Sequence, residues 1–273
     1  MESLTRPGFS VFYDSEERQA AERIADACEE ILHLLQDLWG LETPKDLRVY
    51  VMVSYLPFIL HSPPWFWWPL LVWFLPFTYL NARRLWRYAG GWAQRYGSRN
   101  AIGIKAPNVL QAANTTLGKR IFIQEDDIDK KIKFVTCHEL THAATSHLRL
   151  PKWLFEGLAM LAVDKYFGHA TVRTDTLQSI MQAGQNKIPG KQPRLSKHDQ
   201  DGLIYYVVRG YWLTKYIEET RPELLESLLR EPQGSSKSEK MIATAYGMDV
   251  KEFWGEIEAR MAAHFAAKDD RLI

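Results

Sequence analysis

Charge of one sign is missing from this chain. Its 34 Lys and Arg residues are balanced by 33 Asp and Glu residues, leaving a net +1. No long-range field is therefore available to draw in nucleic acid, and that partner class is set aside. Cysteine is scarce too. Only Cys28 and Cys137 occur, neither in a CxxC pair, which excludes a disulfide framework and a thiolate zinc site. The opening MESLTRPGFSVFYDSEER has no apolar core of the kind a secretory signal carries, so the expectation is a cytoplasmic protein or one on the cytoplasmic face of a membrane. No internal repeat or low-complexity tract interrupts the sequence. What remains is an ordinary folded composition, 46% apolar and 25% charged, over 273 residues. That length suits one generous domain with a sizeable core.

The first residues read as strand, helix, strand. Phe9 to Tyr13 is β-prone, and Asp14 followed by Glu17 has the form of a capping box. Ile24, Ala25, Cys28, Ile31, Leu32, Leu35 and Leu38 then recur at helical spacing until Gly40. In LRVYVMVS, Leu47, Val49, Val51 and Val53 alternate onto one face. Further on, AIGIK and KRIFIQ read as short strands. Asp129 is placed to cap a helix over residues 130–148, Pro151 interrupts it, and a second helix runs over 153–167 to Gly168. From Tyr205 onward the spacing is helical. The expected class is α+β in a single domain over 1–273. Residues 1–128 form a mixed-sheet part with helices, and 129–273 a mainly helical part.

Between these strands lies an insertion, residues 55–97. Tyr55 to Leu80 contains no Asp, Glu, Lys or Arg; Arg83, Arg84, Arg87, Arg95 and Arg99 follow, and six of the ten tryptophans fall between Trp65 and Trp92. Trp with Arg is a membrane-surface composition, which makes Tyr55 to Arg99 the expected contact with a membrane surface. The length meets the ~20 residues of a spanning helix, so a single-pass protein is one alternative. Pro57, Pro63, Pro64, Pro69 and Pro76 would break such a helix repeatedly. A Trp-rich lid buried against the domain is the third reading.

The chemistry is carried by HELTH, residues 138–142. His138 and His142 stand four residues apart and share one helical face, where two imidazoles can grip one ion. Glu139 sits at the edge of that face, within reach of a water on the metal without being a ligand itself. A catalytic zinc takes three protein ligands and leaves a fourth position open. Glu156, in the apolar run WLFEGLAMLAV, is available as the third. A carboxylate among apolar neighbours is expensive unless it has a partner, and Gly157 beside it permits close backbone approach.

HELTH followed by Trp153, Leu154, Glu156, Gly157, Leu158 and Ala159 resembles the gluzincin, or peptidase-MA-like, metallopeptidases, whose motif is HExxH and then W-L-x-E-G-L-A. The resemblance spans roughly Ile102 to Met261. It implies a zincin-like fold with one zinc ion on His138, His142 and Glu156. It also implies an endopeptidase or aminopeptidase in which Glu139 removes a proton from the zinc-activated water and passes it to the leaving amine. Thermolysin-like relatives carry Asp four residues after the glutamate, where this chain has Met160. Metzincins need Gly and His where Thr145 and Leu148 stand, and His147 points off the shared face. Relatives draw an oxyanion donor from the C-terminal helices, which nominates Tyr206 first, then Tyr205, Tyr211 and His198. A polypeptide substrate could pair with Lys119 to Gln124 as an exposed strand edge. The alternative function is a catalytically silent, membrane-apposed binding module.

Overall fold

The computed structural model describes residues 1–69, 73, 86, 89–112, 116–184 and 200–269. They contain β1 (Glu2–Arg6), β2 (Phe9–Tyr13), β3 (Leu47–Met52), β4 (Gly91–Tyr96) and β5 (Arg99–Lys105), ordered β1-β2-β3-β5-β4 in one sheet. The inner pairs β2/β3 and β3/β5 are parallel and the outer pairs antiparallel. β1, which the sequence reading did not assign, is a hairpin partner of β2 across a turn in which Gly8 adopts φ 86°. Parallel strands need a long crossover. Helix α1 (Arg18–Trp39) provides it between β2 and β3, and buries Ile24, Cys28, Ile31 and Leu35 as their spacing predicts, while Leu38 of the same series is exposed in the last turn. It ends at Gly40, whose left-handed backbone lets its N–H reach the Gln36 carbonyl while the Leu41 N–H reaches Leu35.

The sheet is covered on both sides. Val11, Val49, Ile102 and Ile104 are in register on one face and fully buried. On the other face, Phe12 stacks on Tyr50, and Tyr50, Met52, Phe58 and Ala101 form a core with Tyr55, Trp86, Trp92 and Tyr96 packed against it. β3 is a central strand, so both of its faces carry apolar side chains. Its alternation stops at Met52, and Val53 lies beyond the strand and is exposed.

Three short helices follow the strands: α2 (Tyr55–His61), α3 (Pro107–Gln111) and α4 (Thr116–Ile121). The ends of the Trp-rich insertion therefore pack on the sheet: Tyr55 and Phe58 lie on α2, while Trp86 stacks on Trp92 of β4 at 5.6 Å. Lys105, almost wholly buried, donates to the Trp86 carbonyl and holds its ammonium 4.5 Å from the Trp86 ring centroid. Burial lowers the lysine to about 8. No helix among the described residues is long and apolar enough to cross a membrane.

Lys119 to Gln124 is not the strand its alternation predicts. Its first residues complete α4, and only Phe122 forms a β-bridge, to Val172. The Ile123 N–H reaches Thr171 and the Arg173 N–H reaches Ile121, so backbone groups on both sides of Phe122 are already engaged. Ile121 is buried while Ile123 stands in solvent. A period of two over so few residues does not separate a strand from a single bridge.

Helix α5 (Ile128–Thr145) carries HELTH. Its start is held by Asp127, whose carboxylate accepts the Asp129 N–H at 2.8 Å and whose carbonyl accepts from Lys131. Asp129, expected as the cap, sits inside the first turn and pairs instead with Arg23 of α1 at 2.6 Å. Lys133 with Glu30 makes a second α5–α1 pair.

The chain divides into two compact units, one of Met1–Gly118 with Gln124–Ala144 and another of Lys119–Ile123 with Thr145–Ile273. The second is helical among its described residues: α6 (Lys152–Phe167), α7 (Asp175–Gly184), α8 (Gln200–Thr220), α9 (Pro222–Arg230), α10 (Ser235–Ala245) and α11 (Val250–Asp269). Its centre is α6 against α8, with α7, α9 and α11 also on α8. α6 is buried nearly all round, from Trp153 to Asp164. A helix without a polar face belongs in the middle of a core.

Candidate metal centre

On α5 the four-residue spacing has its geometric consequence. The His138 and His142 rings lie 4.6 Å apart between centroids at 85°, with their Nε2 atoms 3.1 Å apart. His142 is buried and His138 partly so. Two nitrogens bound to one tetrahedral zinc at ordinary bond lengths would be about 3.3 Å apart. The pair is thus already spaced as the edge of such a site.

Glu139 is also buried, at 8% exposure. What packs over it is backbone. A Cβ added to Gly91, the first residue of β4, would fall 2.6 Å from the Glu139 Cγ and 2.9 Å from a Val135 methyl. Among the described residues β4 is an edge strand whose one sheet partner is β5. The sheet edge beside Glu139 is therefore β4, and glycine at position 91 is what allows it to run so close.

In the second unit, Glu156 is the fifth residue of α6 and half-buried. Its neighbour explains the helix packing: a Cβ on Gly157 would lie 2.0 Å from the Thr214 Oγ1 and 2.3 Å from the Gly210 carbonyl oxygen. Gly210 meets α6 in return, with the Trp153 carbonyl 2.5 Å from its own Cβ position. The two helices cross backbone to backbone at this glycine pair.

One ligand atom from each of His138, His142 and Glu156 lies within 4.8 Å of the others, a group able to hold a metal ion. Two imidazole nitrogens and a carboxylate oxygen are a donor set suited to zinc. The residues present fit the ion.

The oxyanion candidates separate by what their hydroxyls do. Tyr205 donates to the Glu258 Oε1 at 2.8 Å, and the fully buried Tyr211 donates to the Asp164 Oδ2 at 2.6 Å. Tyr206 lies one turn before Gly210; burial pushes its hydroxyl well above the usual tyrosine range, and the Glu156 carboxylate is the next cause. His198 lies outside the described residues.

Sequence reading missed two polar centres in this unit. Asp164 ends the apolar run of α6 and is buried, accepting the Thr171 N–H, the Thr171 hydroxyl and the Tyr211 hydroxyl. It ties α6, α8 and the segment before α7 together. A lone carboxylate in an apolar helix was the available signal. Arg209, 4% exposed, lies over the Trp254 ring at 4.4 Å with its Nε 2.5 Å from Glu258. Near it, burial pushes the Glu239 carboxyl up against the opposing pull of the Trp153 indole and Arg209. These partners are far apart in sequence and leave no local pattern. No family model and no curated protein matches the chain.

Proposed function

We propose that the chain is a zinc-dependent peptidase with His138, His142 and Glu156 as ligands and Glu139 as the base. The observation that carries this reading is the convergence of the two Nε2 atoms at 3.1 Å, with a Glu156 oxygen inside the same 4.8 Å group. A zinc held there would supply the Lewis acidity that polarises a carbonyl and brings the pKa of water close to neutrality. The rest falls to the chain's own residues. Glu139, set at the edge of the histidine face and pressed under β4, accepts a proton from the attacking water and returns it to the leaving nitrogen. β4, an edge strand among the described residues, offers its outer side for an extended peptide to add as a further strand, in place of Lys119 to Gln124. Tyr206 donates a hydrogen bond to the carbonyl oxygen as negative charge grows on it.

Zinc content is the direct test. Protein prepared without chelator is expected to hold about one zinc per chain, and His142→Ala to lose it. A folded, zinc-supplied wild type without metal would sink the reading. Tyr206→Phe should keep its zinc and lose about 10²-fold in turnover against a peptide panel. Unchanged turnover would remove Tyr206 from the mechanism. Metal bound without hydrolysis of any peptide would instead favour the silent binding module.

A further inference from the structure

We infer that the Trp65–Trp68 turn is an anchor for an anionic membrane surface, seated in the headgroup layer without spanning the bilayer. The inference is independent of the zinc reading. Trp65 is 83% exposed, Phe66 60% and Trp73 77%, and Trp67 and Trp68 are also exposed. Single exposed apolar residues are ordinary; four successive large aromatics in solvent are not. Indole rings with a polar N–H on an apolar body favour the layer between water and hydrocarbon.

The turn is also held firmly at its base. The Trp67 ring meets Tyr96 edge-on at 5.9 Å, the Tyr96 hydroxyl lies 3.1 Å from the Ser62 Oγ, and Tyr50 donates to the His61 carbonyl. Trp65 and Phe66, by contrast, have each other as their ring contact among the described residues. Fixing the base while leaving the tip bare keeps the aromatics from folding back onto the sheet.

Charge selects the kind of surface. From Leu47 to Gln124 the sequence has no acidic residue and nine basic ones, although the whole chain is nearly neutral. Of the nine, Arg48 and Arg99 pair with Asp46, Arg120 pairs with Asp201 and Lys105 is buried, while Arg95 is exposed and spends its Nε on the Gly97 carbonyl, with no ion pair among the described residues. An aromatic tip in a stretch with basic and no acidic residues is complementary to negatively charged headgroups. Pro63, Pro64 and Pro69 around the turn suit a dip into the interface and not a continuous spanning helix.

The test is sedimentation of the 273-residue chain with phosphatidylcholine vesicles, with and without phosphatidylserine, at low and high salt. Binding is expected to require phosphatidylserine and to weaken with salt. It should fall at least about tenfold in Trp65→Ser/Phe66→Ser, and drop also in Arg95→Glu, while zinc content and the thermal midpoint stay as in the wild type. A blue shift of wild-type tryptophan emission on these vesicles, reduced in the double variant, reports insertion without any separation step. Absence of vesicle binding, or equal binding by wild type and double variant, overturns the inference. So does a lipid-free wild-type dimer that the double variant converts to a monomer without change in vesicle binding, since a second copy would then be the occupant.

Discussion

Glu139→Gln is expected to lower peptide hydrolysis by about 10²- to 10⁴-fold while zinc remains bound at one per chain. Glutamine keeps the size of the side chain and its fit under Gly91, where the Glu139 Cγ leaves no room for even a methyl group. What it loses is the lone pair that can take a proton near neutral pH. His138 and His142 keep their 3.1 Å spacing because the helix backbone sets it. The pairing of two readouts matters. Zinc retained with activity gone assigns Glu139 to proton transfer; zinc and activity lost together would make it a positioning residue. Full turnover in the glutamine variant would end the proposed mechanism.

The largest effect on stability is expected from Gly157→Ala. The new methyl group would meet the Thr214 Oγ1 at 2.0 Å and the Gly210 carbonyl oxygen at 2.3 Å. Neither can move cheaply. Thr214 is fully buried with its hydroxyl on the Gly210 carbonyl, and that carbonyl belongs to the backbone of α8. Separating α6 from α8 would strain the most extensive helix pairing of the unit. Overpacking of this kind costs about 3 kcal/mol, a fall in thermal midpoint of about 10 °C for a protein of this size. Gly255→Ala is the control. Its added Cβ meets nothing within 4 Å and its helix is regular, so alanine there should stabilise by about 0.5–1 kcal/mol. Equal midpoints for the two variants would mean that the glycine crossing does not hold the helices as described.

Several elements were plain in the residues because their signals are local. The spacing of α1, the alternation of β2 and β3, the two histidines one turn apart and the glycine after Glu156 each need only a neighbouring stretch of chain to be read. Where a long-range partner decides, local reading went astray. KRIFIQ alternates as a strand does, yet its only bridge is to Val172. Asp129 looks like a cap, but its carboxylate pairs with Arg23 on another helix. Tyr205, Tyr206 and Tyr211 are indistinguishable by spacing and are separated only by Glu258, Glu156 and Asp164.

By itself, then, the sequence determined the α+β class, the helical pairing of His138 with His142, the position of Glu139 beside them and the unusual aromatic run after Tyr55. All follow from the fixed periods of helix and strand and from composition. Tertiary structure decided the rest: that β4 runs beside Glu139, that Lys119 to Gln124 is not a strand, that Trp86 and Trp92 are packed while Trp65 and Phe66 are bare, and that Tyr205 and Tyr211 spend their hydroxyls on Glu258 and Asp164. Strand order, burial and electrostatic neighbourhood depend on residues distant in the chain, and no local period encodes which of them will meet.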